Sequence, residues 1–133
     1  MHVILRSKPF VGSIIITVFI IYGSIKPDSG GDSFLGFFNI PNIDKLLHLL
    51  FYLVLSLSMF YGFTRKTLRV NPKVIYGISL GYPFLLGAVL EWVQWNFIPS
   101  RNGEWLDLLS NTTGILLALM LFYLYTRIRF NRS

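Results

Sequence analysis

The sequence contains no cysteine, so disulfides, thiolate metal sites and a cysteine nucleophile are all excluded, although the compartment stays open. Charge is scarce as well. Only 14% of the 133 residues are Asp, Glu, Lys or Arg, just six of them acidic, while 53% are hydrophobic. A soluble domain of this length has too little interior to hide that much apolar surface, so a lipid environment is the economical explanation. The sequence shows no low-complexity tract and no convincing repeat, though two helical hairpins with a similar charge layout are faintly suggestive. It also lacks a Gly-x-Ser-x-Gly elbow, and Ser100, Ser110 and Thr112 have no recognisable activating context.

What is present is a set of long apolar runs. A helix needs roughly 20 apolar residues to cross a bilayer core. Four runs approach or meet that length, and the expected spans are 9–25, 45–64, 74–97 and 106–126. The first ends at Lys26-Pro27-Asp28 and the second at Arg65-Lys66. The third continues through Glu91 and stops before Ile98-Pro99, and the fourth stops at Arg127. No small-x-small cleavage site follows the first run, which reads as a retained helix rather than a signal peptide. The fold class expected is an all-α integral membrane bundle of four transmembrane helices in a single domain.

The net charge of +6 is distributed unevenly. Nine basic residues flank one side of the expected spans: Arg6 and Lys8, then Arg65, Lys66, Arg69 and Lys73, then Arg127, Arg129 and Arg132. The other side holds Lys26, Lys45 and Arg101 together with all six acids. Lys and Arg enrichment marks cytoplasmic loops, so both termini are expected inside. The basic 64–73 connection is then a topology signal beside anionic lipid headgroups, and nucleic-acid binding is not expected. Trp92, Trp95 and Trp105 fall near the outer boundary, where amphipathic rings settle. The first outer connection, 27–43, turns apolar at Phe34, Leu35, Phe37, Phe38 and Ile40 and is expected to lie in the interface.

The polar residues gather near that same outer boundary. Asp44, His48 and Tyr52 are spaced four apart and share a helix face, with Lys45 beside them. Glu91 and Gln94 are three apart at the end of the third span, Arg101 lies in the third connection, and Asp107 and Asn111 open the fourth span. With alternating spans these residues converge at one depth, which predicts a polar cavity on the outer side. Polar groups in a span cost free energy and face a bundle interior or a wet cavity. Each also has an ordinary role available. Asp44 can cap its helix, with Asn42 as a competitor; Lys45 can snorkel; Asn111 and Gln94 can join helices, and His48 can be a hydrogen-bonded packing residue. Glu91 and Asp107 can pair with Arg101 and Lys45. Gly77-x-x-x-Gly81, with Gly87, is a loose helix-packing pattern. Pro83 is expected to kink the third span, and Thr112-Thr113-Gly114 reads as a close helix contact.

The ordered pattern Asp44-Lys45-x-x-His48-x-x-x-Tyr52, Glu91-x-x-Gln94, Arg101, Asp107-x-x-x-Asn111-x-x-Gly114 resembles the VanZ-like family of small bacterial membrane proteins. The resemblance covers Asp44 to about Leu121, with Glu104 and Trp105 at positions expected to vary. It implies a four-span bacterial membrane protein, and the family is associated with reduced susceptibility to the glycopeptide teicoplanin, a phenotype rather than a chemistry.

Two functions fit these residues. One is a binding protein that engages an anionic, lipid-linked or cell-envelope ligand at the outer leaflet. Lys45, His48 and Arg101 would then meet a phosphate or carboxylate, with Asn111, Gln94 and Tyr52 giving directional hydrogen bonds and Glu91 and Asp107 orienting the bases. The other is a membrane-surface enzyme that uses His48 and Glu91 as proton carriers on such a lipid. His48, Glu91 and Asp107 could instead hold a divalent metal, but their spacing matches no defined ligand motif. No metal or cofactor is therefore assigned, and the oligomeric state is not legible.

Overall fold

The computed structural model describes residues 9–26, 42–65, 70–98 and 104–131. They form four α-helices, and no strand occurs among the described residues. These are α1 (Val11–Ile25), α2 (Ile43–Phe63), α3 (Pro72–Phe97) and α4 (Trp105–Phe130).

The helix ends follow from local chemistry. Lys26 closes α1 with φ −59° and ψ 122°, the extended conformation imposed on a residue that precedes proline. Asn42, rather than Asp44, precedes α2, and it takes the left-handed conformation at φ 60°, which Asn tolerates better than most residues. Asp44 lies inside the first turn and Asp107 inside that of α4, so each carboxylate faces the positive end of a helix dipole. Asn71 caps α3 by accepting the Lys73 N–H at 2.9 Å, and Pro72 occupies the first helical position, where its missing N–H has no cost. Arg127 and Arg129 sit in the last turn of α4, against its negative end.

Length separates the four helices. At about 1.5 Å per residue, the 21, 26 and 26 residues of α2, α3 and α4 reach or exceed the roughly 30 Å of a bilayer core. The 15 residues of α1 give only about 22 Å. Three helices are therefore long and apolar enough to cross a membrane; α1 ends at Ile25 as expected but begins at Val11 rather than at 9, and is shorter.

Residue pairings give the topology. Phe10 meets Phe63 and Ser13 meets Ser58, so α1 and α2 run antiparallel. His48 pairs with Asn111 and Phe60 stacks on Phe122 at 4.2 Å, so α2 and α4 run parallel. Phe60 also meets Tyr76 near the start of α3, while Gly87 lies against Tyr52, so α3 is antiparallel to α2. Direction thus alternates along the chain. The starts of α2 and α4 share one end of the bundle with the ends of α1 and α3.

The broadest interface is between α2 and α4. Gly114 makes it possible, because a Cβ there would run into the Leu49 carbonyl of α2. The interior holds Tyr52, Leu55, Phe60, Leu90, Ile115 and Ala118. Only 33, 28 and 22% of the apolar stretches of α2, α3 and α4 are buried, and Val54, Leu85, Val89 and Leu116 point outward. Such continuous apolar exterior belongs in lipid.

One packing expectation changes. A Cβ on Gly77 or Gly81 would meet nothing within 4 Å, so that pair packs no helix here; Gly87 does, against Asn111 and Tyr52. Pro83 is buried within an α3 that runs unbroken from Pro72 to Phe97.

Candidate functional site

Because α2 and α4 run parallel with their starts level, the polar faces that open them touch. The Lys45 ammonium lies 2.7 Å from Glu104 Oε2, 3.2 Å from Asp44 Oδ2 and 3.6 Å from Asp107 Oδ1. Asp44 and Glu104 are half exposed, whereas Asp107 is nearly buried. One turn deeper, Asn111 Oδ1 is 3.1 Å from His48 Nδ1. An amide oxygen only accepts, so His48 Nδ1 donates this hydrogen bond. His48 Nε2 lies 3.9 Å from Asp107 Oδ2.

Glu91 enters from α3. Its carboxylate, an Asp107 oxygen and a His48 ring nitrogen lie within 4.8 Å of one another, and Glu91 Oε2 is shielded from solvent. Asn111 is 2% exposed, and its amide nitrogen has no hydrogen-bond partner. Tyr52 is also 2% exposed, closing the floor of the cluster beside Gly87. A cleft of about 190 Å³ leads toward Asp44, His48 and Tyr52 between α1 and α2, lined on the α1 side by Phe19, Ile20, Gly23 and Ser24.

The structure thus joins Asp44, Lys45, His48, Tyr52, Glu91, Asp107 and Asn111. Gln94 has a different task, because its Nε2 donates to the Ser24 carbonyl at 3.0 Å and ties α3 to α1. Arg101 lies outside the described residues. Glu104, a position expected to vary, makes the shortest ion pair of the cluster. The available signal was its spacing of three residues from Asp107, which puts both acids on the opening turn of one helix.

Four carboxylates therefore lie around the Lys45 ammonium and the His48 imidazole. Behind this cluster, Trp92, Trp95 and Trp105 flank Glu91 and Glu104 around a second recess of about 190 Å³. All three rings are more than half exposed, as expected of side chains anchored at a headgroup boundary.

No family model matches the chain, and no curated protein or solved structure matches it either.

Proposed function

We propose that this is a VanZ-like, multi-pass protein of a bacterial cytoplasmic membrane that binds an anionic, lipid-linked or cell-envelope ligand at the extracytoplasmic face. Four helices cross the bilayer with both termini inside, and α1 completes its crossing by local thinning of the bilayer or by help from its flanks. The charge distribution supports this orientation, since Arg65, Lys73, Arg127 and Arg129 lie at the bundle end opposite the Lys45 cluster.

The observation that carries the reading is the convergence of Lys45, His48, Glu91, Asp107 and Asn111 from three apolar helices. Helices that expose Leu, Val and Phe to lipid have no packing need for two shielded carboxylates. The cleft beside His48 has an apolar α1 wall and a polar floor, which suits a lipid carrying a charged head. Lys45 supplies a point charge for that head and Arg101 a bidentate one.

Tag-free protein in nanodiscs of neutral lipid, doped with polyprenyl phosphate or with polyprenol, tests the reading. Native mass spectrometry should retain the phosphate and not the alcohol, and Lys45→Ala or Arg101→Ala should reduce retention. Equal retention of both lipids sinks the proposal. Susceptibility to teicoplanin in a host strain, with and without the gene, tests the phenotype implied by the family.

The enzymatic alternative rests on a separate observation. Asn111 accepts from His48 Nδ1 and so orients the imidazole, with Glu91 and Asp107 beside the ring, as a positioned acid–base group requires. Catalysis predicts that His48→Gln or Glu91→Gln abolishes turnover of the retained lipid while leaving its retention largely intact.

A further inference from the structure

His48 Nε2 faces Asp107 Oδ2 at 3.9 Å, too long for a hydrogen bond. Glu91 brings a second carboxylate, so that one oxygen of each acid and a His48 ring nitrogen lie within 4.8 Å of one another. We infer that His48, Glu91 and Asp107 form a binding site for a divalent transition-metal ion, contributed by three different helices.

Three features of the geometry support this. Metal–ligand bonds to imidazole nitrogen and carboxylate oxygen are about 2.0 to 2.2 Å, so two ligands on one tetrahedral ion stand about 3.4 Å apart. Small side-chain rotations bring the three atoms to that spacing. The second feature is Asn111, which is buried and accepts from His48 Nδ1. Metal-ligating imidazoles almost always donate their other ring nitrogen to an oxygen in this way, and the donation fixes both tautomer and ring plane. The third is charge. A divalent ion would stand between the Glu91 and Asp107 carboxylates, while the Lys45 ammonium already lies within 3.2 Å of Asp44 and Glu104.

One imidazole and two carboxylates suit Zn2+ or Mn2+ rather than a soft ion, in keeping with a chain that has no cysteine. Three protein ligands leave a coordination position open. Here the inference rests on the proposed function, because an anionic headgroup in that position explains how a cluster rich in carboxylates attracts an anion. The ion site itself does not depend on that reading.

The test uses tag-free, full-length protein in neutral-lipid nanodiscs, stripped with chelator and titrated with Zn2+. One ion per chain is expected, and absorption spectroscopy at the zinc edge should show imidazole scattering together with oxygen ligands. His48→Gln, Glu91→Gln and Asp107→Asn should each weaken binding at least about 10-fold, and Asn111→Ala by about 10-fold or more through loss of orientation. Thr113→Ala, an exposed residue that bonds only its own helix, should leave stoichiometry and affinity unchanged. Absence of zinc binding, or zinc without imidazole scattering in the unaltered protein, overturns the site even if every variant misfolds. Polyprenyl phosphate retention is then compared with zinc and with chelator. Retention only with zinc supports the bridging role, and equal retention in both overturns it. No retention in either overturns the bridging role and the ligand reading together, while the ion count still decides the metal site.

Discussion

His48 Nδ1 donates to Asn111 Oδ1 at 3.1 Å, a hydrogen bond between α2 and α4 that spans 63 residues of sequence. It is the link through which the bundle sets the chemistry of the cluster, because the partner of Nδ1 determines which ring nitrogen remains free.

Replacing Asn111 with Ala should therefore shift His48 toward a mixture of tautomers. Nitrogen-15 chemical shifts of labelled histidine, read above the imidazole titration range, should show Nε2 changing from a bare to a partly protonated nitrogen. Stability should fall by about 1 to 2 kcal/mol, the cost of a lost buried hydrogen bond.

The α2–α4 seam gives a prediction about shape. Gly114→Ala places a methyl group against the Leu49 carbonyl, so the helices must separate, at a cost of about 1 to 3 kcal/mol. Gly77→Ala meets nothing and should be neutral or stabilising by up to about 1 kcal/mol through helix propensity. Thermal unfolding in detergent distinguishes the two. A larger loss at Gly77 than at Gly114 would contradict the packing described above.

The ion pairs of Lys45 are unequal. Glu104→Gln removes a contact from a half-exposed carboxylate and should change stability by no more than about 1 kcal/mol. Lys45→Met removes the ammonium that also faces the nearly buried Asp107, and should cost more than the Glu104 substitution. A double-mutant cycle between Lys45 and Asp107 should give a larger coupling energy than one between Lys45 and Glu104.

Topology is directly measurable, because a chain without cysteine needs no background removal. Single cysteines at positions 100 and 133, replacing Ser100 and Ser133, should react with membrane-impermeant maleimide from opposite sides of the membrane. Labelling from the same side would contradict the proposed orientation.

Much of the helix layout was legible from the sequence. The boundaries of α2 and α3 fall within two residues of the expected runs, because hydrophobicity over some 20 residues is a local property, whereas α4 continues past Arg127 to Phe130. The end of α1 before Lys26-Pro27 was legible too, and its start differs by two residues from the expected position 9. Gly77 and Gly81 illustrate a limit of motif reading: their spacing permits close approach, but only a neighbouring helix makes it a contact. Gln94 shares a helix face with Glu91, yet bonds to α1 because Ser24 ends at its level. Glu104 gains its importance from Lys45, 59 residues away.

The sequence alone determined that the chain forms long apolar helices, that it cannot use thiol chemistry, and that its acids and its bases are segregated. These properties depend on composition and on neighbours a few residues apart. Tertiary structure decided which polar atoms meet: Lys45 beside three carboxylates, Asn111 on His48, and Glu91 with Asp107 near the His48 ring. Those distances depend on how far α2 and α4 approach and on their rotation about their axes. Gly114 sets that approach, and no periodicity within a single helix specifies it.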